Sequence, residues 1–477
     1  MYTFTICLLL LVAGYFIYGA FVERIFKPDD RATPAIAHPD GVDYIPMPGW
    51  KIFMIQFLNI AGLGPIFGAI MGAQFGISSY IWIVFGTILA GATHDYLSGM
   101  LSLRHNGGSL PEIVGRYLGN GTKRIMIVFT VILLVLVGAV FVSGPAELIA
   151  GLTPKSLDAT FWIIVIFAYY VLATLLPIDK IIGKIYPVFA FALLFMAAGI
   201  LFMLYWHHPP LPELTDGFAA GKKLELPIFP MMFVSIACGA ISGFHATQSP
   251  LMSRCMTHEK QGRRIFYGAM VAEGIVALIW AAAATSFFGE NGIFYTEEGK
   301  ELAYSGAKVA TSISTEWLGT FGGILAILGI IAAPISTGDT ALRSARLMLA
   351  DFLHINQKSV SKRLIISIPV FLVTISILLY SLQDKAGFSV IWRYFAWCNQ
   401  TLSVFTLWAI TVYLVRHARK YFWLTLLPAL FMTFVCATYL CIAPEGFGLS
   451  PEFSYAAGGG ATLISILWFA VWKNKKG

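Results

Sequence analysis

The sequence predicts an all-α polytopic membrane protein with about thirteen transmembrane helices, from runs of about 20 apolar residues. Three observations point there. Of 477 residues, 58% are hydrophobic and only 12% are charged. Mean hydropathy is +0.76. A soluble domain of this length keeps much of its surface in water and could not cover it with so little charge. The third observation is the arrangement: the apolar residues fall in long runs separated by short polar ones.

In order, the runs lie at roughly 2–22, 52–75, 77–103, 124–150, 160–176, 185–206, 228–252, 265–287, 318–342, 364–382, 388–415, 421–442 and 455–472. The first has no basic start, and no small-residue cleavage pattern follows it. Glu23, Arg24 and Lys27 come directly after, which predicts an uncleaved anchor with its N-terminus outside. The basic residues test the count. Most of the 32 Lys and Arg fall on the side reached after odd-numbered spans. The other side holds Lys155, Lys222, Lys223, Lys300, Lys308, Lys385 and Arg393. That bias places the N-terminus outside and the C-terminus in the cytoplasm. It also accounts for the net charge of +7 without a nucleic-acid partner. The six cysteines (Cys7, Cys238, Cys255, Cys398, Cys436, Cys441) are scattered and read as small core residues.

Two spans are interrupted. The second contains Asn59, Gly62, Gly64, Pro65 and Gly68. Gly and Pro break helices, and lipid offers no partner for the backbone groups they release. A Gly-rich packing face is the other reading. The seventh span repeats the pattern in Ser235–Pro250, with Gly239, Ser242, Gly243, His245, Thr247 and Gln248. Paired interruptions at corresponding positions point to the central site of a transporter. The interrupted spans are five apart, so they cross in opposite directions. Spans two to six and seven to eleven then form a LeuT-like 5+5 inverted repeat, with one extra span before and two after. The resulting units are 1–50, 51–206, 207–415 and 416–477. Loops are short. The segment 289–317, with Glu290, Glu297, Glu298, Glu301 and Glu316, reads as a solvated outer surface, or as a lid.

Ionisable groups inside a span mark functional candidates. His94 and Asp95 in the third span can relay a proton or cation, or cap the interrupted helix. Ser336, Thr337, Asp339 and Thr340 follow Pro334 and offer oxygens that hard cations prefer; alternatively they restart the helix as an N-cap. Amides at the half-helix N-termini near Gly62–Gly64 and Gly239–Gly243 can meet an anionic substrate group. His245 either orients that group or bonds a neighbouring break. Glu147 and Glu273 read as buried partners of Ser, Thr or Arg. Asn399 and Gln400 either line the cavity or join helices. No nucleotide loop, nucleophile elbow, zinc-protease or haem motif occurs, so the sequence implies no ATP hydrolysis, no cofactor and no metal.

The stretches Asn59–Ile70, Gly91–Tyr96, Arg104–Glu112, Gly243–Pro250 and Ser336–Thr340 resemble the carbon starvation protein CstA family. The resemblance covers most of the chain and is to a short form of the family. It implies a secondary transporter of the amino acid–polyamine–organocation type, of the kind associated with uptake of peptides or pyruvate during nutrient limitation. The expectation is a multi-pass inner-membrane importer of a small carboxylate-bearing nutrient, driven by H+ or Na+, and not an enzyme. Asn59, Gly62, Gly64, Gly239, Ser242, Gly243, His245 and Gln248 would bind substrate. His94, Asp95, Ser336, Thr337, Asp339 and Thr340 would couple the ion. A membrane sensor of starvation is the alternative.

Overall fold

The computed structural model describes residues 1–175, 182–222, 227–291, 306–357, 359–383 and 387–476. Helices and turns make up the described residues, without strands. The helices in chain order are α1 (Tyr2–Phe26), α2 (Gly49–Ala61), α3 (Gly64–Phe75), α4 (Ile77–Arg104) and α5 (Leu110–Leu118). Then come α6 (Asn120–Leu152), α7 (Ala159–Leu175), α8 (Ile182–His207), α9 (Ile228–Ser235) and α10 (His245–Ser253). The remainder are α11 (Gly268–Asn291), α12 (Gly306–Phe352), α13 (Val360–Gln383), α14 (Gly387–His417), α15 (Trp423–Ile442) and α16 (Pro451–Lys476).

Among the described residues, ten helices are long and apolar enough to cross a membrane, or eleven if the bent pair α2–α3 is one span. The expectation of about thirteen is not met by this measure. The shortfall lies at 160–176 and 228–252. The apolar part of α7 is only Ala159–Ala173. The other region is split into the short helices α9 and α10, with no regular helix across 236–244. A hydropathy run therefore continues where the helix does not.

The second span bends by 51° between α2 and α3. Its break includes a π-helical turn at Gly64–Gly68, which carries Pro65 at its start. The turn into α4 depends on Gly76, whose φ is +61°. A Cβ there would lie 2.1 Å from the Ala220 carbonyl oxygen, and the next amide, Ile77, donates to that oxygen at 2.9 Å. Only glycine fits both demands. Helix α5 was not among the expected elements, yet its start is written in the sequence. Ser109 and Glu112 form a reciprocal capping box around Pro111.

Helix α12 is the axis of one half of the molecule, with α6, α7, α8 and α13 packed along it. It runs without interruption through Pro334 and bends instead at Gly319. The Ser336–Thr340 segment therefore does not restart a helix. Glu297, Glu298 and Glu301 of the expected acidic surface lie outside the described residues. Apolar side chains on α8, α13 and α16 face outward, including Phe202, Leu372, Leu467 and Trp468. Such a belt suits lipid, where exposed carbon carries no penalty.

Candidate functional site

The two interruptions touch. A Cβ on Gly64 would sit 2.2 Å from the Cys238 Cβ, and one on Gly72 would sit 2.4 Å from the Ile236 Cγ1. A Cβ on Gly68 would lie 3.1 Å from the Ser235 carbonyl oxygen. Gly64, Gly68 and Gly72 of the second span are thus where the seventh packs against it, while Gly62 meets Phe141.

The released backbone groups find side chains from other helices. The Leu58 carbonyl accepts from the Thr337 hydroxyl at 3.1 Å. In the seventh span, Phe233 O accepts from Gln400 Nε2 at 2.9 Å, and Gly239 O accepts from Thr87 at 3.1 Å. Trp82 Nε1 donates to Ile236 O at 3.4 Å. Asn399 is the main brace. Its side-chain oxygen accepts from the Phe244 amide at 2.7 Å and the Ser242 hydroxyl at 2.9 Å, and its carbonyl accepts from the Gly243 amide at 3.2 Å. Of the amides expected to meet an anion near Gly239–Gly243, that of Gly243 is therefore already engaged, as is the next one, Phe244. Asn399 and Gln400 hold broken backbone, satisfying donors and acceptors that burial would otherwise leave costly.

Beside the break lies a buried charged cluster. Asp95 bonds His94 Nδ1 through one oxygen and His245 Nδ1 through the other, both at 2.8 Å. The far nitrogen of His245 stands 3.3 Å from Glu273 on α11. All four side chains are fully buried. His245 thus bonds neither break, and Glu273 faces an imidazole where Ser, Thr or Arg was expected. Glu147, expected to be buried, is exposed on α6. Cys238, His245 and Glu273 each bring one ligand atom within 4.8 Å of the others, a spacing that would also admit a metal ion.

The α12 segment presents two faces. Thr337 and Thr340 turn toward the second span: Thr340 donates to Asn59 Oδ1 at 3.5 Å as well as to carbonyls of its own helix. Ser336 bonds only Ala333 O, at 2.7 Å, through its hydroxyl. Asp339 instead accepts from Tyr186 of α8 at 2.5 Å. Residues two apart on a helix do not share a face. The structure therefore does not unite Asp339 with the Thr337–Thr340 pair. Tyr186, Thr87 and Trp82 were missed because polar groups on long apolar runs show no periodic signal.

Several buried polar atoms around the two breaks have no hydrogen-bond partner: both side-chain atoms of Gln56, Asn59 Nδ2, His94 Nε2, Gln248 Oε1 and both oxygens of Glu273. They project from α2, α4, α10 and α11. Helix α10 packs against both α2 and α4.

The profile of the family described as carbon starvation protein CstA matches residues 1–156, 150–296 and 281–439. An uncharacterized membrane protein of Haemophilus influenzae is 43% identical over 339 residues, 60% of this chain and 91% of that one. The pyruvate/proton symporter BtsT of Escherichia coli is 28% identical over 353 residues, 60% of this chain but 48% of its own length. The peptide transporter CstA of Campylobacter jejuni is 25% identical over 540 residues, covering 88% of this chain and 76% of that one. Among solved structures, a manganese transporter of Eremococcus coleocola superposes with a TM-score of 0.57 at 10% identity, covering 91% of this chain and 98% of that one. A Na+-coupled sialic acid symporter does so with a TM-score of 0.57 at 13% identity, covering 95% and 96%. These two likenesses show a shared fold.

Proposed function

The chain belongs to the carbon starvation protein CstA family, and from that premise we propose that it is a secondary active transporter importing a small carboxylate-bearing nutrient, a peptide or pyruvate, with H+ or Na+. One observation carries the reading: two interrupted spans in contact, with unpartnered buried polar atoms gathered around them. Buried polar groups are normally paired, so orphans grouped at broken helices mark where a polar solute belongs. Asn59, Gly62, Gly64, Gly239, Ser242, Gly243, His245 and Gln248 surround that place and form the substrate site. Thr337, Thr340 and Ser336 with the Leu58 carbonyl, the pair His94–Asp95, and Asp339 hold the coupling ion. Spans two to six and seven to eleven form the inverted halves, which rock about the breaks to give alternating access. The protein resides in the bacterial inner membrane, N-terminus outside, and needs no cofactor.

The test is uptake of labelled pyruvate and of dipeptides by proteoliposomes, with proton and sodium gradients imposed separately. Accumulation under one gradient is expected. No movement of any solute under either gradient would defeat the transporter reading. Asp339→Asn should abolish gradient-driven accumulation more than solute exchange; equal loss of both would remove Asp339 from coupling.

A further inference from the structure

Asp339, Arg343 and Arg346 fall at i, i+4 and i+7 of α12 and so share one face. They are 0%, 0% and 1% exposed. Asp339 is taken by Tyr186. Arg343 donates to the Ala173 carbonyl at 2.5 Å and lies 3.8 Å from Asp43, a buried residue of the loop before α2. Arg346 differs. Among the described residues, none of its three guanidinium nitrogens has a hydrogen-bond partner, and it joins no ion pair within 4.0 Å. A buried guanidinium whose nitrogens make no hydrogen bond is costly, and Asp43 and Asp339 act on this one only from beyond ion-pair distance. Its five donors form a planar fork that matches a carboxylate.

We propose that Arg346, with Arg343 beside it, forms a binding site for the carboxylate of a small organic anion on the charged face of α12. The site rests on the transporter reading above and gives its substrate class a chemical anchor. The obvious donors for such a group, the amides of Gly243 and Phe244, are already engaged by Asn399. Asp43 supports the chemistry, because it already holds a carboxylate near Arg343 at a length too long for a good hydrogen bond. Arg363 also acts on Arg346, so three guanidiniums face the two carboxylates Asp43 and Asp339, and an arriving carboxylate completes the balance. Arg343 lies three and Arg346 six residues beyond Thr340 toward the Phe352 end, within two turns of helix from the broken spans.

The experiment is competition against labelled dialanine uptake in proteoliposomes, using unlabelled dialanine or its C-terminal amide. The unaltered protein should favour the acid, and Arg346→Gln should weaken the acid by roughly 10- to 100-fold while leaving the amide unchanged. Arg346→Lys keeps the charge without the fork and should fall between. Equal competition by acid and amide in the unaltered protein would overturn the site while leaving the transporter intact. So would an acid preference that survives in Arg346→Gln or is undiminished in Arg346→Lys. If Arg346→Gln does not fold, the unaltered protein and the Lys variant decide. If the unaltered protein moves pyruvate and not dialanine, the same comparison is made with labelled pyruvate against unlabelled pyruvate and its amide; movement of neither solute would bring down the transporter reading, and the site with it.

Discussion

At the scale of single residues, the constraints are steric at the breaks and electrostatic in the loops. Gly64 is the tightest contact between the two breaks, with Cys238 where its Cβ would be. Gly64→Ala should destabilise the protein by about 1–3 kcal/mol, as overpacking does. Adding Cys238→Gly should restore much of the melting temperature. Failure of that rescue would mean the contact is not the cause. In the loop before α2, Asp40 is pulled in two directions. Partial burial disfavours its charge, but the amides of Val42, Asp43 and Tyr44 donate to Oδ1 and hold the carboxyl below its ordinary value. Its contribution is present in full above the unfolded value of about 3.9 and is lost as pH falls through the lower folded one. Pepsin nicking of this loop should therefore begin only under strongly acid conditions, whereas Asp40→Asn should be nicked throughout pepsin's working range. His94 and Asp95 could be singled out in the sequence because ionisable groups inside apolar runs are rare, whereas hydroxyls and indoles there are not. Their partners could not, since Asp95 and His245 are 150 residues apart and meet only through packing.

At the scale of elements, a broken helix has to be held by its neighbours. Asn399 closes three contacts across the 236–244 break. Asn399→Ala would leave a buried amide and hydroxyl unpaired, at a cost of roughly 1–3 kcal/mol for each group orphaned. A fall in melting temperature together with loss of uptake is expected. A variant with unchanged melting would show that the break needs no brace. Thr87→Val should do the same more mildly, since it releases only the Gly239 carbonyl. Gly and Pro marked both interruptions in the sequence, but not which face each break would turn to its partner. Pro334 misled in the opposite direction. It sits inside continuous helix and not ahead of a restarted one, and the bend falls at Gly319. A proline costs a helix one donor and some strain, and surrounding packing on α12 absorbs both.

For the whole molecule, orientation is the testable quantity. A fluorescent protein fused after Lys476 should mature and fluoresce, as it does in the cytoplasm, while a periplasm-activated reporter at the same position should stay silent. The reverse pattern would invert the assignment drawn from Lys and Arg. The all-α membrane class, the positions of the breaks and the family were all legible in the chain, because composition and local helix breaking depend only on neighbours in sequence. Contact between the breaks, the bracing by Asn399, the separation of Asp339 from Thr337 and the unpaired Arg346 were not. Each depends on which helix faces lie together, and in a chain apolar on nearly every side hydropathy does not specify a face. Only close packing selects the partners, and the tertiary structure is where that selection is made.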